Sequence, residues 1–194
     1  MRKNVFISVL YTVVTGILLG IVYPLLMTGL AQAFFRNQAN GQSIVRDGVV
    51  VGSRIIGQQF TGIQYFHGRP SAAGANGYDP TASGGSNYGP TNRKYIDRVK
   101  SDVAALQKEN PAAPVPIDLV TTSGSGLDPD VTPAAAYFQV PRVAKARGVS
   151  KEKIKELVAK HTTLRQFGFL GEPRVNVLEL NLDLDKISER TTSE

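Results

Sequence analysis

The sequence predicts an α+β protein: a single N-terminal transmembrane helix followed by one mixed α+β extracytoplasmic domain. Three observations lead to this fold class: an uncharged apolar run between Asn4 and Phe35, helix-period patterns in the second half, and strand-like patterns near residues 43–52 and 174–185. At 194 residues the chain has room for one ordinary domain with a small addition. We expect an anchor over residues 1–36 and a soluble domain over residues 37–194.

The apolar run is long enough to span a bilayer. As a helix it would measure roughly 45 Å, against a hydrocarbon core of about 30 Å. A cleaved secretory signal is the rival interpretation, since Arg2 and Lys3 precede the run and Ala31-Gln32-Ala33 matches a cleavage site. Signal peptides carry only about 7 to 15 apolar residues, so the length favours an uncleaved anchor. The basic N-terminus favours a single-pass protein of the cytoplasmic membrane with its N-terminus in the cytoplasm.

Small residues and one proline recur every four positions within the anchor, and they predict a face that packs against another helix. These residues are Thr12, Gly16, Gly20 and Pro24. Gly16 and Gly20 form a GxxxG pattern, which lets two helix backbones approach closely. The alternative interpretation is that glycine is simply common in membrane helices.

The first part of the soluble domain combines a hairpin signal with a long irregular stretch. Asp47-Gly48, between two short apolar runs, is the pair that a two-residue type I′ turn prefers. From Phe60 to Asn92 the chain is rich in Gly, Ser, Asn and Pro and shows no period. Such a stretch is either disordered or a binding loop. The aromatic residues favour ordered contact, and the candidate partner-contact residues are Tyr65, Phe66, Arg69, Tyr78, Asn87 and Tyr88.

Three helices follow this loop. The first is predicted from Arg93 to about Lys108, with Asn92 as N-cap. Prolines then restrict residues 111–120 to extended backbone or an edge strand. The second helix begins after Thr132 and ends at Gly148, bent near Pro141. The third is capped by Ser150, with His161 on its apolar side and a three-residue connection before it.

The stretch from Thr121 to Ala136, TTSGSGLDPDVTPAAA, raises the question of a catalytic nucleophile or a calcium loop. Ser125 lacks the G-x-S-x-G pattern, and only His67 and His161 could act as its base. A calcium loop beginning at Asp128 fails because Pro133 occupies the glycine position. We therefore predict no catalytic and no metal residue, and assign a turn and helix cap to Gly124, Gly126, Asp128 and Thr132.

The tail RVNVLELNLDLD alternates apolar and polar residues as a strand does. The alternation changes phase near Val177, so the prediction includes a bulge or bend there. Its polar face holds Glu179, Asn181, Asp183 and Asp185. A cation-attracting row is one interpretation of these side chains, but alternation alone already predicts a solvated strand face.

Composition excludes several classes of function. The chain has no cysteine, which removes disulfides and thiol catalysis. Its net charge of +6 comes from interleaved charges rather than a basic stripe, so nucleic acid is not an expected partner. No phosphate-binding P-loop is present, and we do not expect the chain to hydrolyse ATP alone.

Several stretches along nearly the whole chain match the pattern of one protein family in the same order. They are Tyr23 to Leu26, Ile56 to Gln58, Phe66 with Gly68 to Ala72, Ser83 to Asn87, Pro116 to Thr121, Ser125 to Asp128, Pro141 to Arg147 and Val175 to Asn181. Through these stretches the chain resembles the C subunit of Kdp-type potassium-transporting P-type ATPases, the KdpC family. One position departs from the family pattern, since Asp130 stands where the family often has His or Asn.

The resemblance implies a non-catalytic accessory subunit of a high-affinity potassium uptake complex. Its partners would be a potassium-channel-like subunit, a P-type subunit that hydrolyses ATP, and membrane lipid. Such a subunit stabilises assembly and raises the apparent ATP affinity of the pump subunit indirectly, while ATP and potassium are handled by the complex and no cofactor is bound by this chain. An extracytoplasmic enzyme and a signal-anchored binding module of another envelope complex are the alternatives.

Overall fold

The computed structural model describes residues 1–191, with side chains through Ile187. The chain divides into two compact units, Met1–Val50 and a second one from Val51 onward. Each unit is described by itself below.

The first unit is dominated by one apolar helix. It consists of α1 (Arg2–Ile17), a π-helical turn (Leu18–Val22) and α2 (Tyr23–Phe34), and a short α3 (Arg36–Ala39) follows. Within the described part of the chain, Arg2–Phe34 is the helix long and apolar enough to cross a membrane, with a mean hydropathy of 2.5. Pro24 lies at the start of α2. Because proline has no N–H to donate to the preceding turn, the wider π turn stands where the regular hydrogen-bond ladder would fail.

A β-hairpin follows, as the sequence predicts. Strands β1 (Ser43–Arg46) and β2 (Val49–Ser53) form a two-stranded sheet. Asp47 and Gly48 have φ values of 52° and 79°. A type I′ turn requires positive φ at both central residues, which explains this residue pair.

The second unit mixes four helices with three very short strands. The strands form an antiparallel sheet in the order β3-β5-β4, with Val175 opposite both Val131 and Thr162. The elements are α4 (Arg93–Glu109), β3 (Asp130–Val131), α5 (Pro133–Arg147), α6 (Lys151–Lys160), β4 (Thr162–Thr163), β5 (Arg174–Asn176) and α7 (Val177–Thr191). The α+β content predicted from the sequence is therefore confirmed.

Local chemistry sets the ends of the helices. The Asn92 side chain accepts a hydrogen bond from Lys94 N at 2.9 Å, and the Ser150 hydroxyl accepts one from Lys153 N at 3.3 Å. Gly148 ends α5 in the left-handed conformation, with a φ of 65°. The helix ends predicted at these three residues are confirmed. The Asn92 and Ser150 side chains satisfy N–H groups that the start of a helix leaves open, and Gly148 allows the chain to reverse direction.

The proline-rich segment after α4 forms no strand in residues 111–120, all of which are described. Extended backbone at Pro116 is as predicted, but a 3₁₀ turn, Ile117–Leu119, follows it. The turn buries Asp118 and Leu119. Asp118 accepts hydrogen bonds from the backbone N and hydroxyl of Thr132 at 2.7 and 3.2 Å, so a side chain takes the place of a strand partner.

The tail was wrongly predicted as a strand: β5 ends at Asn176, and helix α7 begins at Val177. The Asn176 side chain accepts a hydrogen bond from Glu179 N at 3.1 Å, as an N-cap does. Val177, Leu180, Asn181 and Leu184 are all buried, and this is the spacing of one helix face. The alternating leucines imitate a strand, but leucine is a strong helix former and tertiary packing selects the helical period.

The hydrophobic core lies among α5, α6, α7 and the small sheet. It includes Val140 and Val143 of α5, Ile154 of α6 and Leu180 of α7, all with at most 1% exposure. α4 contributes partly buried residues such as Leu106. One core residue, Phe66, comes from the long irregular loop.

Candidate functional site

The long loop is the part of the domain where polar side chains converge. Residues 60–92, all of which the structure describes, contain no helix or strand. Phe66 and Ala73 are nevertheless fully buried. A buried backbone without secondary structure needs hydrogen-bond partners from elsewhere, and side chains of α5 and α7 together with backbone groups of the 121–132 turn supply them.

Two buried side-chain amides satisfy the backbone N–H and C=O groups of Phe66 and His67. The Asn181 side chain accepts from Phe66 N and donates to Phe66 O, both at 2.9 Å. The Gln139 side chain accepts from His67 N at 2.8 Å and donates to His67 O at 3.1 Å. We call Asn181 and Gln139 the bridging amides. They do for two successive residues what a neighbouring strand would do in a sheet.

Two arginines of α5 hold the carbonyl groups just before this point. Arg142 donates to Ile63 O at 2.6 Å and to Tyr65 O at 2.8 Å, and it pairs with Glu109 of α4 at 2.8 Å. Arg147 donates to Gln64 O at 2.9 Å, pairs with Asp185 at 2.8 Å and lies over the Tyr65 ring. The two arginine side chains of α5 therefore face the domain's own loop.

Arg69 connects the loop to the 121–132 turn. Its guanidinium donates to the Asp128 carboxylate at 3.1 Å and to Thr122 O at 3.3 Å. Its Nε is buried, without a hydrogen-bond partner among the described residues. The Tyr78 hydroxyl donates a hydrogen bond to Arg69 O at 2.6 Å, which fixes the backbone of Arg69.

The glycines of the turn permit close approach of the loop. Gly126 has a φ of 68°, and a Cβ there would lie 2.7 Å from Gly84 O and 2.8 Å from Ala73 N. The Ser71 hydroxyl donates to Gly126 O at 2.6 Å, and Gly84 N donates to Ser125 O at 2.8 Å. At the other end of the turn, the Thr132 hydroxyl accepts from Ala135 N at 3.2 Å and opens α5. The stretch TTSGSGLDPDVT thus serves as the surface against which the loop lies.

A cavity of about 420 Å³ opens between the loop, α4 and α5. Its lining combines apolar side chains with polar ones, and the polar ones include His67, Arg69, Tyr78, Glu109, Gln139 and Arg142. Arg142 already meets Glu109, Gln139 and two carbonyls, and Arg69 meets Asp128 and Thr122. The guanidinium groups are thus largely committed to the fold.

Burial within the domain shifts the pKa values of His67, Tyr78 and Asp130. Burial, followed by the charge of Arg142, lowers the pKa of His67 below its ordinary value. Burial, followed by the charge of Asp128, raises the pKa of Tyr78 from its ordinary value of 10.0 to about 12. Burial also raises the pKa of Asp130 above its usual range. All three shifts favour the neutral form, as expected for groups packed into a protein.

Groups with nucleophilic or metal-binding chemistry have structural contacts instead. The Ser125 hydroxyl accepts from Leu127 N at 3.1 Å, and His67 Nε2 lies 3.0 Å from Gly62 O. His161 lies at the end of α6, four residues after the buried Leu157, and its ring nitrogen is 2.9 Å from the Asp183 carboxylate of α7. In the described chain, no cluster of His, Asp and Glu side chains is arranged to hold a metal ion.

The structure brings together some of the sequence-predicted contact residues and separates others. Tyr65, Phe66, Arg69 and Tyr78 lie in the hydrogen-bonded part of the loop, and Phe66 has no exposed surface. Tyr88 is 45% exposed. Its neighbour Asn87 takes a left-handed conformation, with a φ of 53°. Partner contact by this loop stays a prediction, which the exposed residues are best placed to fulfil.

The anchor residues occupy an exposed helix, whose face around Gly16 and Gly20 meets no other described residue. None of the residues of the helix Arg2–Phe34 is buried. A Cβ at Gly16 or Gly20 would meet no atom within 4 Å. The Thr12 hydroxyl donates to Ser8 O at 2.9 Å, so its polar group is satisfied inside the helix. Together with Pro24, these residues leave a shallow face for another helix.

Sequence reasoning missed the bridging amides. Gln139 stands between Phe138 and Val140, and Asn181 between Leu180 and Leu182. A polar residue at a core position of a helix is the signal that could have identified them, because a buried amide needs partners. Asn181 was instead placed on a solvated strand face, which is wrong since it is 1% exposed.

Comparisons with known proteins agree with one another. A family model described as KdpC, K⁺-transporting ATPase, c chain, matches residues 5–186. The "Potassium-transporting ATPase KdpC subunit" of Koribacter versatilis is 66% identical over 185 residues, covering 95% of each chain. The subunit of that name from Acidobacterium capsulatum is 59% identical over 93% of this chain and 96% of its own. The one from Methylobacterium nodulans is 53% identical over 97% of each.

Proposed function

The chain belongs to the KdpC family of K⁺-transporting ATPase c chains, and from this premise we propose that it is a non-catalytic subunit that holds the complex together. Its partners are a potassium-channel-like subunit and the P-type subunit that hydrolyses ATP. Among the described residues it carries one helix able to span a membrane, and it is a subunit of a potassium-transporting ATPase. In the proposed arrangement the N-terminus is cytoplasmic and the domain lies outside the cytoplasm, as the basic residues before the helix favour.

The observation that carries this proposal is the contrast between the helix and the domain. The helix presents Thr12, Gly16, Gly20 and Pro24 on an exposed face, whereas the amide and arginine side chains that face the long loop are engaged with the domain itself. A catalytic site needs polar groups free to meet a substrate, while an assembly subunit needs a rigid scaffold and a docking helix. The second description matches the geometry better.

The domain is proposed to lie over the extracytoplasmic entrance for potassium, with the long loop helping to seat it there. An effect on the apparent ATP affinity then reaches the pump subunit through packing of the membrane helix. Direct ATP contact would place the nucleotide on the wrong side of the membrane for an extracytoplasmic domain. Coupling through the helix requires that helix contacts differ between states of the pump subunit.

Bulky replacements on the helix test this proposal. Gly16→Ile with Gly20→Ile should reduce recovery of the other subunits with this chain, and should slow growth at limiting potassium in a strain lacking other uptake systems. Gly29→Ile is the matched control, because Gly29 lies in the same helix but off the four-residue spacing. Undiminished assembly and transport in the double variant would contradict docking through this face.

A further inference from the structure

The connection between β4 and β5 exposes a compact group of large apolar side chains. Leu164, Phe167, Phe169 and Leu170 are 72%, 86%, 70% and 47% exposed, all within seven residues. We call these four residues the apolar tip. Single exposed apolar residues are ordinary on a protein surface, but two phenylalanines and two leucines within seven residues, three of them in the turn that Gln166 and Leu170 close, form a candidate for an interface.

The apolar tip is a closed turn. Gln166 and Leu170 exchange two backbone hydrogen bonds, of 2.8 and 2.9 Å, and Gly168 N and Phe169 N donate back within the same turn. Arg165 and Glu172 join the two ends of the turn, because the Arg165 guanidinium contacts both carboxylate oxygens of Glu172, at 2.8 and 2.6 Å. A preorganised turn loses little conformational entropy on binding, so its exposed rings are well suited to anchor a complex.

The backbone at Phe167 supports a role for its ring. Phe167 has a φ of 53°, a conformation that disfavours bulky side chains and that glycine adopts freely. The turn would therefore form more easily with glycine at this position. A phenylalanine held there, 86% exposed, contributes no burial to the domain that would compensate for the strain.

The charges around the tip distinguish a protein surface from a lipid surface. Arg165 pairs with Glu172, Arg174 pairs with Asp130 at 3.0 Å, and Lys160 pairs with Asp183 at 3.3 Å. Loops that bind a bilayer surface combine apolar residues with basic side chains available to anionic headgroups. Here the neighbouring basic groups are matched by carboxylates, which favours a concave apolar site on a protein.

We propose that the apolar tip inserts into an apolar pocket on another subunit of the same ATPase. This rests on the proposed function, since membership of a multisubunit complex supplies the partner. Exposed aromatic anchors that become buried typically dominate the affinity of an interface. The tip is thus a second attachment point, separate from the membrane helix in sequence and in chemistry.

Photocrosslinking in the assembled complex tests the contact directly. The full chain would carry p-benzoylphenylalanine in place of Phe167, or in place of Ile117 as a control with similar exposure, 73%. Membranes holding the complete complex are irradiated, and the adducts are identified by mass spectrometry. We expect an adduct with another subunit from position 167, at several-fold higher yield than from position 117. Adducts with lipid alone, equal yields from both positions, or no adduct would overturn the proposal.

A variant with opposite effects on fold and assembly provides the second arm. Phe167→Gly removes the ring and the strain together, so the unfolding midpoint should not fall, while recovery of the other subunits in detergent should drop about tenfold. Ile117→Ser should leave recovery unchanged. If the unaltered chain recovers the other subunits and Phe167→Gly does so equally well, the tip proposal is overturned and the assembly function stands. Failure of the unaltered chain to recover them would overturn the assembly function itself.

Discussion

The long loop and the apolar tip are both irregular and aromatic, yet they treat their aromatic side chains in opposite ways. Phe66 in the loop is fully buried, whereas Phe167 in the tip is 86% exposed. The backbone around Phe66 is satisfied by the bridging amides of other elements, while the tip satisfies its backbone within itself. A segment held by distant side chains is part of the core, and one that closes on itself is free to present its rings elsewhere.

This difference separates a structural role from an interaction role for two segments of similar composition. Glycine and aromatic content cannot distinguish them, because both segments need tight turns. The facing side chains distinguish them: Asn181, Gln139 and Arg142 point at the long loop. The predictions below test whether the two segments differ energetically as they do in geometry.

The largest effect is expected from removing Arg142. Arg142→Met leaves Glu109 and the carbonyls of Ile63 and Tyr65 without their partner at a side chain only 12% exposed. Breaking a buried ion pair from one side costs about 3–5 kcal/mol. We expect a loss of that order in the free energy of unfolding, measured by urea titration of the detergent-solubilised chain.

Two controls sharpen this result. Arg93→Met removes an i,i+4 pair with Asp97 whose arginine is 85% exposed, and it should cost no more than about 0.5 kcal/mol. Phe167→Ser with Phe169→Ser in the tip should also stay within about 0.5 kcal/mol. A tip variant as destabilising as Arg142→Met would remove the distinction between the two segments.

A smaller loss is expected from one bridging amide. Asn181→Ala leaves Phe66 N and O buried without partners, and each unsatisfied group costs about 1–3 kcal/mol. We expect a total of about 2–4 kcal/mol, since part of the site can rearrange. Asn76→Ala, at an exposed position of the same loop, is the control and should have little effect. An equal response of the two variants would show that the amide does not hold the loop.

The sequence predicted those parts of the fold that local chemistry decides. Asn92, Ser150 and Gly148 mark helix ends because their own side chains or conformational freedom act within a few residues. The prediction of a strand after Asn176 was wrong for the opposite reason. Leucines at every second position imitate a strand, and only the core that receives Val177, Leu180 and Leu184 selects the helix.

The same limit applies to the site. The glycines and Asp128 of the 121–132 stretch were assigned to a turn because their chemistry is local. Gln139 and Asn181 act on residues 72 and 115 positions away, respectively, so no local pattern identifies their partners. No sequence pattern indicates the apolar tip, because the exposure of its side chains depends on which surfaces the rest of the domain covers.

The smallest effect concerns Tyr78, which joins the backbone of the long loop at Arg69. Tyr78→Phe removes a hydrogen bond of 2.6 Å and should cost about 1 kcal/mol at pH 8.

The pKa of Tyr78 is raised from 10.0 to about 12, by burial first and then by Asp128. The folded state therefore holds the phenol proton more tightly than the unfolded state, and this contribution is complete below pH 10 and declines between pH 10 and 12. The difference in unfolding midpoint between the unaltered chain and Tyr78→Phe should narrow above pH 10 and change sign by pH 12, because a pKa difference of this size outweighs about 1 kcal/mol. Tyr88→Phe, at an exposed ring, controls for the titration of other groups. A constant difference from pH 8 to pH 12 would mean that the Tyr78 hydroxyl is not held inside the loop, and that this part of the segment is as open to solvent as the apolar tip.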